Sequence, residues 1–178
     1  KLCEGMNIQF GRDYRSLMPT NLYGPNDNFH DLNSHVIPAL LRRFYEAVIE
    51  NKKFLKVWGS GKPKREFLHV DDLAKASIFL MEMDKQKFNS FIRPDLSHIN
   101  VGTGNDISIE ELVSIIRNIS KYDGEIVFDD SKPDGTMKKV LDISTITSMG
   151  WSPEISLEDG LIDTYEWYKK NKDTAKKV

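Results

Sequence analysis

Hydrophobic and polar positions along this chain follow two periods, and the switches between them mark its elements. Leu112, Ile115, Ile116 and Ile119 recur at helical spacing. They follow Ser108-Ile109-Glu110-Glu111, a capping box whose serine and glutamate satisfy backbone N–H groups that a helix start leaves unpaired. Leu40, Leu41 and Phe44 supply the apolar face of a helix over 34–51, with Pro38 near its first turn, where a missing N–H costs little. Residues 1–10 read as a helix stopped by Gly11, and a helix running to Met83 is expected to take Asp71 or Asp72 as its cap. Two more helices are expected over 143–149 and 156–170.

Short apolar runs at 14–19, 54–58, 66–70, 98–102 and 125–128 read as strands. The first is expected to be buried and to belong to a parallel sheet. Residues 20–33, rich in Asn, Asp, Gly and Pro, read as a loop, and 59–63 and 132–135 as tight turns. The polar stretch 84–97 is ambiguous. Helices alternating with strands predict an α/β fold.

Composition narrows the function classes. The chain has 178 residues, 39% hydrophobic and 29% charged, the balance of a globular protein with a real core. A net charge of −2 gives no bulk attraction to nucleic acid or to a membrane, so an anionic ligand must be held by a few placed cations. The single cysteine, Cys3, allows neither an internal disulfide nor a multi-cysteine zinc site and fits a cytoplasmic home. The chain opens Lys1-Leu2-Cys3-Glu4-Gly5-Met6 without an initiator Met, like a helix already under way. The expectation is the C-terminal portion of a longer protein.

No dinucleotide fingerprint is present: Gly59-Ser60-Gly61 is followed by Lys64 where a third glycine belongs. More telling is the run from Trp58 to Asp72, in which a strand leads through a glycine turn to Arg65, an apolar pair and an acidic helix start. With Pro19-Thr20-Asn21-Leu22-Tyr23-Gly24-Pro25 it resembles the extended short-chain dehydrogenase/reductases that act on nucleotide sugars. Asn26–His30 and Ser34–Arg43, then Ser131–Thr136 and the closing region from Trp151 to Lys170, narrow the resemblance to the GDP-L-fucose synthase family in its bacterial form.

That resemblance implies an end of a Rossmann-type sheet plus a smaller α/β substrate-binding domain. Residues 1–34 would be a remnant of the dinucleotide-binding domain. Residues 35–178 would be mainly the substrate domain, with some segments returning to the first sheet. The implied reaction epimerises two carbons flanking a 4-keto group of GDP-4-keto-6-deoxy-D-mannose and reduces that ketone with NADPH. His35 matches the family's acid/base histidine, and imidazole exchanges protons near neutrality. Arg43 and Arg65 would neutralise the GDP diphosphate, since guanidinium is a planar fork suited to phosphate. Trp58 would contact the nucleotide, with Asp134 and Lys139 nearby. Pro19, Thr20, Asn21 and Leu22, with His35, would line the nicotinamide side of NADP(H). The full-length enzyme would be a homodimer, and this portion alone would lack reductase activity.

Each residue also has a plainer reading. Arg65 can pair with Glu66, Trp58 can be core, Asp134 can be a turn residue and Lys139 merely solvated. His30 sits in the loop and can approach the site, while His69 and His98 read as packing or hydrogen-bonding residues and form no metal set. Tyr165-x-x-x-Lys169 and Tyr168-x-x-x-Lys172 mimic the family's redox pair, yet lie in the last helix, where amphipathic patterning produces that spacing. Another nucleotide-sugar epimerase or dehydratase of the superfamily, or a non-catalytic nucleotide-sugar-binding module, remains open at this point.

Overall fold

The computed structural model describes residues 1–92 and 98–176. In chain order its first elements are α1 Leu2–Phe10, β1 Ser16–Pro19, β2 Asn21–Tyr23, α2 Val36–Ile49, β3 Phe54–Trp58, β4 Lys64–His69, α3 Val70–Glu82 and α4 Lys85–Phe91. Then follow β5 His98–Val101, β6 Asp106–Ser108, α5 Ile109–Ser120, β7 Glu125–Asp129, β8 Lys138–Lys139, α6 Ser144–Met149 and α7 Leu157–Asn171. They form two compact units. One holds Lys1–Leu22, Glu66–Asn105 and Val140–Glu154; the other holds Tyr23–Arg65, Asp106–Lys139 and Ile155–Val178.

In the first unit β1 and β5 pair in parallel, with Leu17 opposite Ile99. Leu68 of β4, Leu80 of α3, Phe88 of α4, Ile99 of β5 and Ile146 of α6 make a core, with Leu17 packed against it. Burying such side chains contributes roughly 1.5–3 kcal/mol each. The same unit buries a carboxylate. Glu66 is 0% exposed, and its oxygens accept the backbone N–H groups of Thr103 and Gly104 at 2.7 Å and of Leu141 at 2.8 Å. A buried charge is tolerable when hydrogen-bonded so fully. Gly102 leaves it room, because a Cβ there would stand 2.2 Å from Glu66 Oε1.

In the second unit β3 and β7 pair in parallel from Phe54↔Glu125 to Trp58↔Asp129. β3 alternates strictly, burying Leu55 and Val57 and exposing Phe54, Lys56 and Trp58. The helices α2, α5 and α7 pack on one another, burying Leu41, Phe44, Leu112, Ile116 and Leu161. Phe29 stacks on Tyr168 at 4.5 Å, which ties the loop before α2 to the last helix.

The local signals hold. The capping box at Ser108 and Glu111 is complete, and Gly11 ends α1 in the left-handed region at φ 61°. Four elements went unforeseen: α4 inside the ambiguous stretch 84–97, of which residues 93–97 lie outside the described residues, and the short strands β2, β6 and β8. The cap of α3 also differs. The acidic pair sits within the first turn, and His69 is the cap, its Nδ1 accepting the N–H of Asp71 at 3.3 Å. The strand runs straight into the helix, so its last residue takes the capping position. β1 is not buried as expected: Met18 is 51% exposed.

Candidate functional site

The second unit carries several placed cations and the open indole of Trp58. Arg65, half-buried near the start of β4, donates from Nη1 to the carbonyls of Lys64 at 2.8 Å and Thr136 at 2.5 Å. These neutral partners fix the guanidinium, and among the described residues it forms no ion pair. Glu66 pairs elsewhere: its carboxylate accepts the backbone N–H groups of Thr103, Gly104 and Leu141. β8 lies parallel beside β4 with Arg65 opposite Lys139, so the two cations share a face. Lys139 is exposed.

Asp134 organises the neighbouring turns. Its carboxylate accepts the N–H and the hydroxyl of Ser60, each at 2.7 Å, and these bonds hold its pKa below the usual aspartate value. Gly59, at φ 81°, permits the approach, since a Cβ there would stand 2.5 Å from Asp134 Oδ1. The turn after β3 is thereby fixed to the segment that presents the Thr136 carbonyl to Arg65.

Arg43 meets β3 from α2, its guanidinium donating to the Lys56 carbonyl. Burial first, then the charge of Arg42, push its pKa below the ordinary value, while Glu46 acts the other way. Arg42 on the same turn is buried and spent, paired with Glu46 at 2.8 Å and Asp31 at 3.2 Å. Trp58, at the end of β3, is 62% exposed and so is not core; the Lys132 ammonium lies 5.8 Å from its ring centroid. Arg43, Trp58, Ser60, Asp134 and Arg65 thus lie along one path of strand, turn and hydrogen bonds.

His35 is the N-cap of α2, exposed, with no hydrogen bond capping the helix from its imidazole. Asp27, which sequence reasoning passed over as a loop residue, lies within electrostatic range of it. Burial raises the Asp27 pKa; the N–H of Asn28 and the His35 charge pull it back. The intervening loop is internally braced: Asn28 Oδ1 accepts the His30 N–H at 3.1 Å, and His30 Nδ1 accepts those of Leu32 at 3.0 Å and Asn33 at 3.2 Å. His30 therefore serves the loop's own backbone.

In the first unit Pro19–Leu22 follows β1 at its carboxyl end, where α/β folds bind ligands. Thr20 Oγ1 and Asn21 Nδ2 both donate to the Glu66 carbonyl, at 3.2 and 2.8 Å. His69 is buried at 3% exposure, and His98 is exposed. Tyr165 and Tyr168 are buried, with burial pushing each hydroxyl up to about 12. A redox tyrosine needs the opposite shift, and the Lys169 ammonium sits over the Tyr165 ring, 5.5 Å from its centroid. Among the described residues no group of three or more His, Cys, Asp or Glu could hold a metal ion.

The profile of the NAD dependent epimerase/dehydratase family matches residues 1–102, more than half of the chain. The chain belongs to that family.

Among curated relatives of this epimerase/dehydratase chain is the GDP-L-fucose synthase of Escherichia coli K12, 59% identical over 97% of the chain and 54% of the relative. The probable GDP-L-fucose synthase 1 of rice is 50% identical over 99% and 51%. The chain thus spans about half the length of the curated relatives it matches. Among solved structures, a GDP-D-glycero-L-gluco-heptose synthase from Campylobacter jejuni, determined in the presence of NADPH, aligns at TM-score 0.84 and 37% identity, covering 94% of this chain and 57% of that one. A GDP-L-fucose synthetase from Naegleria fowleri bound to NADP aligns at 0.82 and 28%, covering 97% and 52%.

The epimerase/dehydratase family uses a dinucleotide, and the donors on this chain suit only one part of it. Pro19–Leu22 runs from an exposed proline through a buried threonine to a half-buried, pinned asparagine and a half-buried leucine. The pyrophosphate needs a glycine-rich turn opening a helix, and no such motif occurs in the sequence.

Proposed function

We propose that this chain supplies the nucleotide-sugar side of a GDP-L-fucose synthase, converting GDP-4-keto-6-deoxy-D-mannose to GDP-L-fucose by 3,5-epimerisation and NADPH-dependent reduction of the 4-keto group. The observation that carries the reading is Arg65, a half-buried guanidinium held by two carbonyls and in no ion pair among the described residues. A cation fixed by neutral partners is prepared for an anion. Arg43, whose guanidinium donates to a backbone carbonyl, and Lys139 add charge for a diphosphate, and Trp58 offers an indole face to the nucleoside. The curated relatives named for this activity support the choice of sugar nucleotide.

In this reading Tyr23–Arg65, Asp106–Lys139 and Ile155–Val178 form the substrate unit, and the other unit is the remnant of the dinucleotide domain. His35 takes and returns protons at the sugar carbons beside the ketone, with Asp27 as the carboxylate in its field. Pro19–Leu22 lines the nicotinamide, NADPH supplies the hydride when bound, and the rest of its site comes from outside this chain. Asp134 acts by holding the turn behind Arg65. The working protein is a cytoplasmic homodimer that needs neither nucleic acid nor membrane; no helix among the described residues is long and apolar enough to cross a membrane.

The test is to supply the gene product that carries this chain with GDP-4-keto-6-deoxy-D-mannose and NADPH. NADPH oxidation with formation of GDP-L-fucose is expected; its absence in a folded, NADPH-binding preparation overturns the reading.

A further inference from the structure

The outer face of the β3–β7 pair holds a group of side chains that diphosphate binding leaves unused. Trp58 and Asp129 are register partners in parallel strands, so they emerge side by side on the face that β3 exposes. Lys132 follows in the turn after β7, its backbone N–H bonded to the Asp129 carbonyl at 3.1 Å and its ammonium over the Trp58 ring. The Asp129 carboxylate is held in place from one side. Its Oδ1 accepts the N–H of Ser131 at 3.2 Å and the hydroxyl at 2.6 Å, while Oδ2 takes no hydrogen bond among the described residues. The Ser131 hydroxyl is the largest of the effects that keep this carboxyl below the usual aspartate value, with smaller help from Lys56 and Lys132, so it stays an acceptor through the neutral range.

We infer that Trp58, Asp129 and Lys132 read the base of the bound nucleotide and select guanine over uracil. This rests on the nucleotide-sugar reading above and adds which edge of the ligand is recognised. An exposed indole is a stacking platform that accepts any base, so it carries affinity without choice. Choice comes from polar groups at its rim. Guanine presents two adjacent donors, N1–H and the 2-amino group, and on another edge the acceptors O6 and N7. A fixed carboxylate takes the donor pair, and a lysine on a flexible stem reaches the acceptors. Uracil offers one donor flanked by two carbonyl oxygens, which the Asp129 carboxylate repels. The same three side chains therefore attract one base and disfavour the other, as specificity requires.

The experiment is calorimetry with GDP, inosine diphosphate and UDP on the wild type, Asp129→Asn and Lys132→Met. The diphosphate is common to all three ligands, so UDP affinity doubles as the check that each variant is folded and grips phosphate. Wild type is expected to prefer GDP to UDP, with inosine diphosphate, which lacks the 2-amino group, between them. Asp129→Asn should weaken GDP about 10-fold or more, in line with loss of a charge-assisted hydrogen bond, and bind UDP as well as or better than wild type, since the repulsion of its carbonyls is gone. Lys132→Met should narrow the preference in the same direction. An unchanged GDP-to-UDP ratio in both variants overturns the inference while leaving the proposed function standing. Base selection without turnover of the sugar nucleotide would instead overturn the function and keep the inference. A wild type that binds no GDP overturns both.

Discussion

The carboxylate of Asp134 accepts two hydrogen bonds from Ser60, one from its backbone N–H and one from its hydroxyl, each 2.7 Å long. They lower the Asp134 pKa from 3.8, so the folded value lies below the unfolded one. The stabilisation is therefore present above the unfolded pKa and lost as pH falls through the folded one. Asp134→Asn is expected to melt below wild type at neutral pH, and the gap should close below about pH 4. Thermal melts of both proteins across that range check it; a gap that persists in acid contradicts the assignment.

Glu66 predicts a larger effect of a smaller change. Glu66→Gln keeps the shape but only one acceptor oxygen, so its NH2 faces at least one backbone N–H, that of Leu141 when the oxygen stays on Thr103 and Gly104. The loss is expected at about 1–3 kcal/mol per unsatisfied donor, visible as a lower urea midpoint. Gly102→Ala should destabilise as well, because its Cβ would stand 2.2 Å from Glu66 Oε1.

Arg65→Ala is expected to weaken GDP binding by about 10- to 100-fold, the worth of hydrogen bonds to a charged group. Arg65→Lys should recover only part, since it restores charge without the planar fork. Calorimetry with GDP separates the three proteins, and equal affinities reject the diphosphate role.

His35→Asn should leave stability and GDP affinity near wild type, because the side chain is exposed and caps nothing. Incorporation of solvent deuterium into the sugar should fall by roughly 100-fold or more, the contribution of a positioned acid/base. Undiminished exchange would exclude His35 from proton transfer.

Tyr165→Phe should not change turnover. Its hydroxyl is pushed up to about 12 by burial, and Lys169 lies over the ring. A turnover loss without a stability loss would return the terminal helix to the chemistry.

What was legible in the sequence follows the range of the interactions. The capping box at Ser108 and Glu111 and the stop at Gly11 are decided within a few residues, and both were read correctly. The family-bearing run around Arg65 was legible because a strand, a glycine turn and a cation stand together. The short strands β6 and β8 exist only through distant partners, such as Lys138 beside Lys64, and two or three residues carry no period. His69 was missed as a cap because acidic residues two and three positions later are the stronger local signal. Asp27, Asp129 and Lys132 sit in stretches dense with turn formers, where one more charged residue is unremarked until its neighbours are known.

The openness of Trp58 gives the protein a built-in optical reporter. Of three tryptophans, Trp58 is 62% exposed, Trp151 is 7% exposed and Trp167 is half-buried in a stack with Phe29. Its emission should lie furthest to the red and be the most accessible to acrylamide. A ligand settling on the indole would shield that one component and leave the buried ones unchanged. Occupancy of the cationic face can therefore be followed by intrinsic fluorescence, without a label.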